Sequence, residues 1–253
     1  MITTQDVPVT FDEAAPRYDL MVALNPGYHR HLRSAAEALV DQLPAETTPG
    51  SPVRAAVRLI DLGCGSGAST KALVKAVQAS GRRPEVLGVD ASAGMLAQAR
   101  TKQWPAGTRF AHGFAQQLSD SRQAWGLTEP VSGVLAAYLF RNVDERAEVL
   151  SDVYALLDDD GILVVQEYSV AGRLAAELIW TLVCWLVVIP LGLITSGRTL
   201  LYRYLWQSVR DFDSVQVFTD RLYAAGFTDV EVRTVAGWQH GILHTFRARK
   251  VSR

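Results

Sequence analysis

The chain has 253 residues, 49% of them hydrophobic and 20% charged, and its 25 basic and 26 acidic side chains give a formal net charge of −1. That length suits one α/β domain with insertions, the apolar share excludes disorder, and balanced charge without a basic run argues against a nucleic-acid partner. Two distant cysteines, Cys64 and Cys184, and five histidines without ligand spacing suggest no metal site, and an acidic N-terminus without an apolar stretch does not read as a signal peptide, so a cytoplasmic protein is expected.

In chain order, His29–Leu43 places Leu32, Ala35, Ala36, Leu39 and Leu43 at helical spacing, and Pro44–Pro52 reads as a loop. Strands and helices then alternate. Val57–Leu62 predicts a strand, Ala68–Ala79 a helix, Val86–Val89 a strand, Ala93–Lys102 a helix and Arg109–His112 a short strand. Ser119–Pro130 is a long polar loop before a strand at Val131–Ala137. A helix at Asp144–Leu157, a tight acidic turn at Asp158–Gly161 and a strand at Ile162–Tyr168 follow. Ser214–Ala225 reads as a helix capped by Ser214 and ended by Gly226, and Val230–Val235 and Ile242–Arg249 as two strands joined by a short segment. The alternation implies a doubly wound, mostly parallel α/β sheet with a closing edge hairpin, and a ligand beyond the carboxyl ends of its strands.

The most informative stretch is LIDLGCGSGAST at Leu59–Thr70, read with VLGVD at Val86–Asp90. An apolar run ends in Asp61, glycines follow at 63, 65 and 67, and small residues open a helix. Such glycines let backbone approach a ligand closely, the helix start offers free N–H groups, and an acid ending the next strand can take ribose hydroxyls. The residues suit a nucleoside with a charged or polar tail. Gly63, Gly65 and Ala68 also satisfy the dinucleotide pattern, so NAD stays open on spacing alone. The D-x-G-x-G-x-G arrangement resembles motif I of the class I S-adenosylmethionine-dependent methyltransferases. Cys64, inside the loop, reads as a small packed residue.

Further segments narrow the resemblance. FDEAAPRYDLMVALNPGYHR at Phe11–Arg30 is similar to the entry segment of the C-methyltransferases of ubiquinone and menaquinone biosynthesis. YLFRNV at Tyr138–Val143 resembles their F-G-L-R-N-V, YRYLWQSV at Tyr202–Val209 their YxYLxxSI, and FTDRLYAAGFTDV at Phe218–Val230 their closing helix and turn. The sequence departs from the family where Phe114 stands before Ala115, facing adenine, and where Phe246 replaces a histidine of the last strand. The resemblance implies a seven-stranded class I methyltransferase fold with N-terminal helices and an apolar helical insertion. It divides a single domain into an N-terminal helical segment (1–50), a cofactor-binding core (53–168), a lid-like insertion (169–210) and a closing helix with edge strands (211–253).

It also implies S-adenosylmethionine as cofactor, held by Tyr18 over the methionine carboxylate, by Asp61, Gly63, Cys64, Gly65 and Gly67, and by Asp90, Ala91 and Met95. Phe114, Ala115 and Ala137 complete that set. Arg141 and Asn142 are placed at the acceptor ring, Arg141 as a phenolate stabiliser or water-orienting group because its guanidinium stays protonated, with His29 as the candidate proton acceptor. The implied reaction is C-methylation of a prenylated quinol such as demethylmenaquinol. Another apolar phenol, polyketide or lipid is the alternative acceptor; an NAD-dependent oxidoreductase and a non-catalytic binding module are more distant readings. Leu178–Ile194 runs 17 residues without a charge. Pro190 and Gly192 predict a break into two short helices, forming a buried hairpin or an apolar lid that touches lipid reversibly, in preference to a membrane span.

Overall fold

The computed structural model describes residues 7–12, 15, 19, 25, 27–44, 56–196 and 200–251. Tyr18, Arg17 and Met21 of the entry segment, and most of the expected loop at Pro44–Pro52, lie outside the described residues.

After a helical stretch at 7–12, helix α1 (Tyr28–Val40) buries Leu32, Ala35, Ala36 and Leu39 along one stripe. Five strands follow: β1 (Ala56–Leu62), β2 (Arg83–Asp90), β3 (Thr108–His112), β4 (Val131–Ala137) and β5 (Leu157–Tyr168). Helices α2 (Ala68–Ala79), α3 (Ala93–Arg100), the short α4 (Leu118–Ser121) and α5 (Arg146–Leu156) connect them. Helix α6 (Leu174–Val183), α7 (Ile189–Ser196), α8 (Leu200–Arg210) and α9 (Val215–Ala224) precede the edge strands β6 (Thr228–Thr234) and β7 (Leu243–Arg249). The seven strands form one sheet in the order β3-β2-β1-β4-β5-β7-β6. Pairings among β1–β5 are parallel; β7 runs antiparallel to β5 and β6 antiparallel to β7.

Both sheet faces are covered, so neighbouring residues of one strand serve different cores. Leu59 packs with Leu32, Leu39 and Leu73 under α1 and α2, while Ile60 joins Leu150, Phe218 and Phe246 under α5 and α9. Part of the expected polar loop at Ser119–Pro130 is helical, and Trp125 within it is buried. The acidic turn at Asp158–Gly161 lies inside β5 as an irregularity: the partner of β4 jumps from Leu157 to Ile162, and Asp160 has a φ of 59°.

The apolar segment differs most from expectation. Pro190 does not break it. Helical structure runs from Leu174 to Ser196, with a π-helical turn at Cys184–Val188 just ahead of the proline. A proline lacks its N–H and crowds the carbonyl four residues back, and a widened turn relieves both problems without ending the helix. The hairpin partner is α8, which packs back on this helix. Trp206 lies edge-on to Trp185 at 5.7 Å, donates from Nε1 to Thr181 Oγ1 at 3.2 Å and accepts from Trp180 Nε1 at 3.3 Å. Gly192 is required there, because a Cβ would run into the Tyr202 ring.

Candidate active site

The glycine loop between β1 and α2 forms the floor of a crevice beyond the carboxyl ends of β1, β2 and β4. Gly63, Gly65 and Gly67 all have positive φ. A Cβ on Gly65 would find open space, with nothing nearer than Met95 Cε at 4.0 Å, so its absence leaves room on the ligand side of the loop. Gly67 caps α2 in a left-handed conformation, where a Cβ would meet the Trp104 ring at 2.8 Å, and no side chain satisfies the first N–H groups of α2.

Asp90 ends β2 at the crevice wall. Its Oδ2 accepts from Gly65 N at 2.7 Å and its Oδ1 from Ser92 N at 2.8 Å, so one carboxylate ties the loop to the start of α3. Each oxygen keeps acceptor capacity for a ribose hydroxyl. Burial raises its pKa, and the Ser92 and Gly65 amides partly offset that rise. Burial likewise pushes the Cys64 thiol well up, which leaves it a packed wall residue and no nucleophile.

Asp61 is not part of the lining. It is buried beneath the loop, where Oδ2 accepts from Ser69 Oγ at 2.8 Å and Thr70 Oγ1 at 2.5 Å, while Oδ1 has no partner among the described residues. Burial, helped by Asp90, raises its pKa to about 7 against the two hydroxyls that lower it. An unfolded aspartate titrates near 4, so the native state holds an extra proton between those values, and stability is fullest below pH 4 and declines as pH rises through 7. Asp61→Asn is expected to flatten that decline: melting temperatures from pH 5 to pH 8 fall less in the variant than in wild type. Equal slopes would show that Asp61 is ionised throughout.

Other expected cofactor residues gather at the crevice: Cys64, Ala91, Met95, Phe114, Ala115 and Ala137 all line it. Val7, Pro8 and Phe11 of the N-terminal stretch close one side. Asp12, which sequence reading missed, anchors that stretch by accepting from Ser92 Oγ at 2.5 Å and Gly94 N at 2.7 Å. Asp19 pairs with Lys102 at 2.6 Å and accepts from Ser66 Oγ at 2.5 Å.

The other end of the crevice is built by the turn after β4. Tyr138 has a φ of 60°, rare for a residue with a Cβ and found where surrounding structure over-determines the backbone. Here its own bonds supply the constraints. Its N–H donates to Gln166 O at 2.7 Å, and its carbonyl accepts from Arg141 Nη1 at 2.7 Å and Asn142 Nδ2 at 3.3 Å. Its ring stacks between Tyr28 at 5.6 Å and Tyr168 at 5.2 Å. Arg141 also pairs with Glu167, Nη1 to Oε1 at 2.8 Å, with side chains 8% and 0% exposed. Tyr204 of α8 donates to Asn142 Oδ1 at 3.0 Å, and burial raises its pKa, partly offset by Arg141. Arg141 and Asn142 thus face the crevice together, with the hairpin over them. His29 is exposed, lies edge-on to Tyr28 at 5.3 Å and lines a separate hollow with Trp238, so the structure does not bring it to Arg141.

The sequence profile described as the ubiE/COQ5 methyltransferase family matches residues 1–250. The chain belongs to that family. Demethylmenaquinone methyltransferase of Lactiplantibacillus plantarum is 30% identical over 87% of this chain and 86% of its own, and that of Thermus thermophilus is 32% identical over 86% and 91%. Ubiquinone/menaquinone biosynthesis C-methyltransferase UbiE of Methylobacterium nodulans is 30% identical over 90% and 84%. The plantazolicin methyltransferase BpumL, solved with S-adenosylhomocysteine, shares the fold with a TM-score of 0.63 at 12% identity over 98% of both chains. The ubiE/COQ5 member described here is therefore an S-adenosylmethionine-dependent methyltransferase, which sets aside the NAD-dependent and non-catalytic readings. The residues present fit that cofactor: an open glycine cradle, an uncapped helix start and a carboxylate at the next strand end.

Proposed function

We propose that this methyltransferase transfers a methyl group to a ring carbon of a prenylated quinol such as demethylmenaquinol, working at the cytoplasmic membrane surface. The observation that carries the reading is the pairing of Arg141 and Asn142 in the cofactor crevice with Tyr204 of an apolar hairpin bonded to Asn142. A polar ring and an apolar tail need that combination side by side. The names of the relatives support it. The chain works as one catalytic unit: a cofactor-binding core (53–168) with an N-terminal segment (1–50), an apolar insertion (169–210) and a closing segment (211–253).

When bound, S-adenosylmethionine supplies an electrophilic methyl group. The protein must hold the ring carbon in line with it, and such positioning supplies roughly 7–11 kcal/mol of a barrier. The carbon becomes nucleophilic as the neighbouring hydroxyl loses its proton. Arg141, always protonated, meets the growing negative charge, while Asn142 and Tyr204 orient the oxygen. Phe114 and Ala115, which line the crevice, would hold the adenine, Phe114 by packing and Ala115 through its N–H. Tyr18 contributes at the methionine end. His29, outside the lining, takes no part. The test is incubation with methyl-labelled S-adenosylmethionine and demethylmenaquinol, followed by mass analysis. Label on the quinol ring supports the reading; label on another apolar phenol, polyketide or lipid, with none on the quinol, overturns it.

The tail and the bilayer are assigned to the hairpin. Trp180 and Cys184 face the domain, while Leu178 and Leu186 are 60% and 72% exposed, and Ile179, Leu182, Trp185, Val187 and Leu193 are exposed around them. The helix is long and apolar enough to cross a membrane, yet it is joined on both sides to the sheet, so it lies on the surface. Arg203 sits over the Trp185 ring at 5.5 Å, an aromatic and a cation suited to the headgroup boundary. Each side chain buried in lipid contributes roughly 1.5–3 kcal/mol. Wild type is expected to float with liposomes, and a Leu186→Asp, Val187→Asp variant to stay in the soluble fraction while retaining activity on a short-tailed quinol. Equal flotation would remove the membrane role.

A further inference from the structure

Glu167 is the penultimate residue of β5, wholly buried, and has no part in the chemistry above. Its carboxylate receives three donors: Arg141 Nη1 at 2.8 Å and Tyr168 N at 3.0 Å on Oε1, and Arg141 N at 3.3 Å on Oε2. It therefore fixes both the guanidinium and the backbone of the residue that carries it. The same Nη1 holds the carbonyl of Tyr138, so Glu167 is also tied to the left-handed turn that shapes the acceptor end.

We propose that Glu167 is a positioning residue that fixes the Arg141 guanidinium at the acceptor oxygen and cancels its charge, so that the ring hydroxyl ionises in a nearly neutral site. The proposal rests on the quinol reading. Its logic is the charge balance of the transfer. The phenolate oxygen is most negative before transfer. The hydroxyl proton has gone to solvent water; the ring carbon then bonds to the methyl carbon, the methyl–sulfur bond electrons leave with sulfur, and the oxygen becomes a neutral carbonyl, after which the ring carbon's proton passes to water and its bond electrons restore the aromatic ring and the phenolate. A bare cation binds the starting phenolate more tightly than the transition state, which slows the step. A guanidinium already paired with a carboxylate keeps its directional N–H groups without that excess.

Other charged and titratable groups around the pair are shared by wild type and variants. Tyr138, Tyr168 and Tyr204 face it from β4, β5 and α8, and burial raises all three. Asp144 and Arg146 lie beyond Tyr204, Arg146 pairs with Asp213, and His244 stands opposite Glu167 on β7, where burial lowers its pKa.

Two variants separate charge from reach. Glu167→Gln keeps the length and loses the charge; Glu167→Asp keeps the charge and draws it back by one methylene. With demethylmenaquinol as acceptor, both are expected to lose about tenfold or more in kcat with little change in S-adenosylmethionine affinity. Only Glu167→Gln is expected to move the acidic limb of the kcat profile, which reports the bound complex, by about one pH unit downward, because a like charge beside the phenolate has gone. Ionisation of bound 1-naphthol, read by ultraviolet absorbance, should move in the same direction by a similar amount. Lower melting temperatures in both variants, with the limb and the naphthol ionisation of the folded enzyme unmoved, would reduce Glu167 to a structural role and overturn the proposal, as would wild-type kcat in Glu167→Gln. Failure of the wild type to methylate the quinol would overturn the acceptor instead, and the naphthol comparison would still judge Glu167.

Discussion

Arg141→Ala is expected to lower kcat and kcat/KM together by about 10²–10³, the usual cost of removing a donor that stabilises an oxyanion, because the ring hydroxyl loses the donor that favours its ionisation. Cofactor affinity should stay within about twofold, since Arg141 bonds Tyr138 O and Glu167 at the end of the crevice away from Asp90. The substitution has a second effect. It leaves Glu167 buried without its cation, and breaking a buried pair from one side costs about 3–5 kcal/mol. Loss of activity could then be loss of fold. Arg141→Met combined with Glu167→Gln removes both charges and should recover much of the melting temperature without recovering turnover. Arg141→Lys keeps a charge but cannot reproduce the fork that serves Tyr138 O and Glu167 at once, and it should lose about tenfold or more. Steady-state kinetics beside thermal melts decide the matter: full activity in Arg141→Ala would remove this residue from the acceptor site.

What was legible in the sequence had local causes. The glycine loop, Asp90 and the strand–helix alternation are set by backbone chemistry within a few residues, and each stands where its pattern predicts. Partners distant in sequence were less visible. Glu167 sits in ILVVQEY, where an acid in an apolar strand signals a buried partner, but nothing in the sequence names Arg141 as that partner. Asp12 acts on Ser92 and Gly94, and Tyr204 on Asn142, through approaches that only the folded chain creates. His29 was chosen for its chemistry, and chemistry does not fix place: the first turn of α1 carries it outside the crevice lining. Pro190 was read as a breaker by a rule that holds for a regular helix, and the π-helical turn before it removes the clash on which the rule depends.

The cofactor end supports the second large effect. Gly65→Val should abolish measurable S-adenosylmethionine binding for two reasons that act together. At a φ of 52° a β-branched residue is strained, and its side chain would project into the open space on the ligand side of the loop. Because no atom of the described residues other than Met95 Cε comes within 4.0 Å of that Cβ, the strain falls on one residue and the melting temperature should drop far less than affinity. Asp90→Ala acts differently. It frees the Gly65 and Ser92 amides that its two oxygens hold and removes the acceptor for the ribose hydroxyls. Hydrogen bonds to a charged group contribute about 1.5–3 kcal/mol, so affinity should fall by roughly 10–150-fold. Asp90→Asn keeps one carbonyl oxygen for one of the two amides and should fall between wild type and Asp90→Ala. Isothermal titration calorimetry with S-adenosylhomocysteine, a non-transferring analogue, reads all three. Wild-type affinity in both Gly65→Val and Asp90→Ala would mean that the cofactor does not lie against this loop.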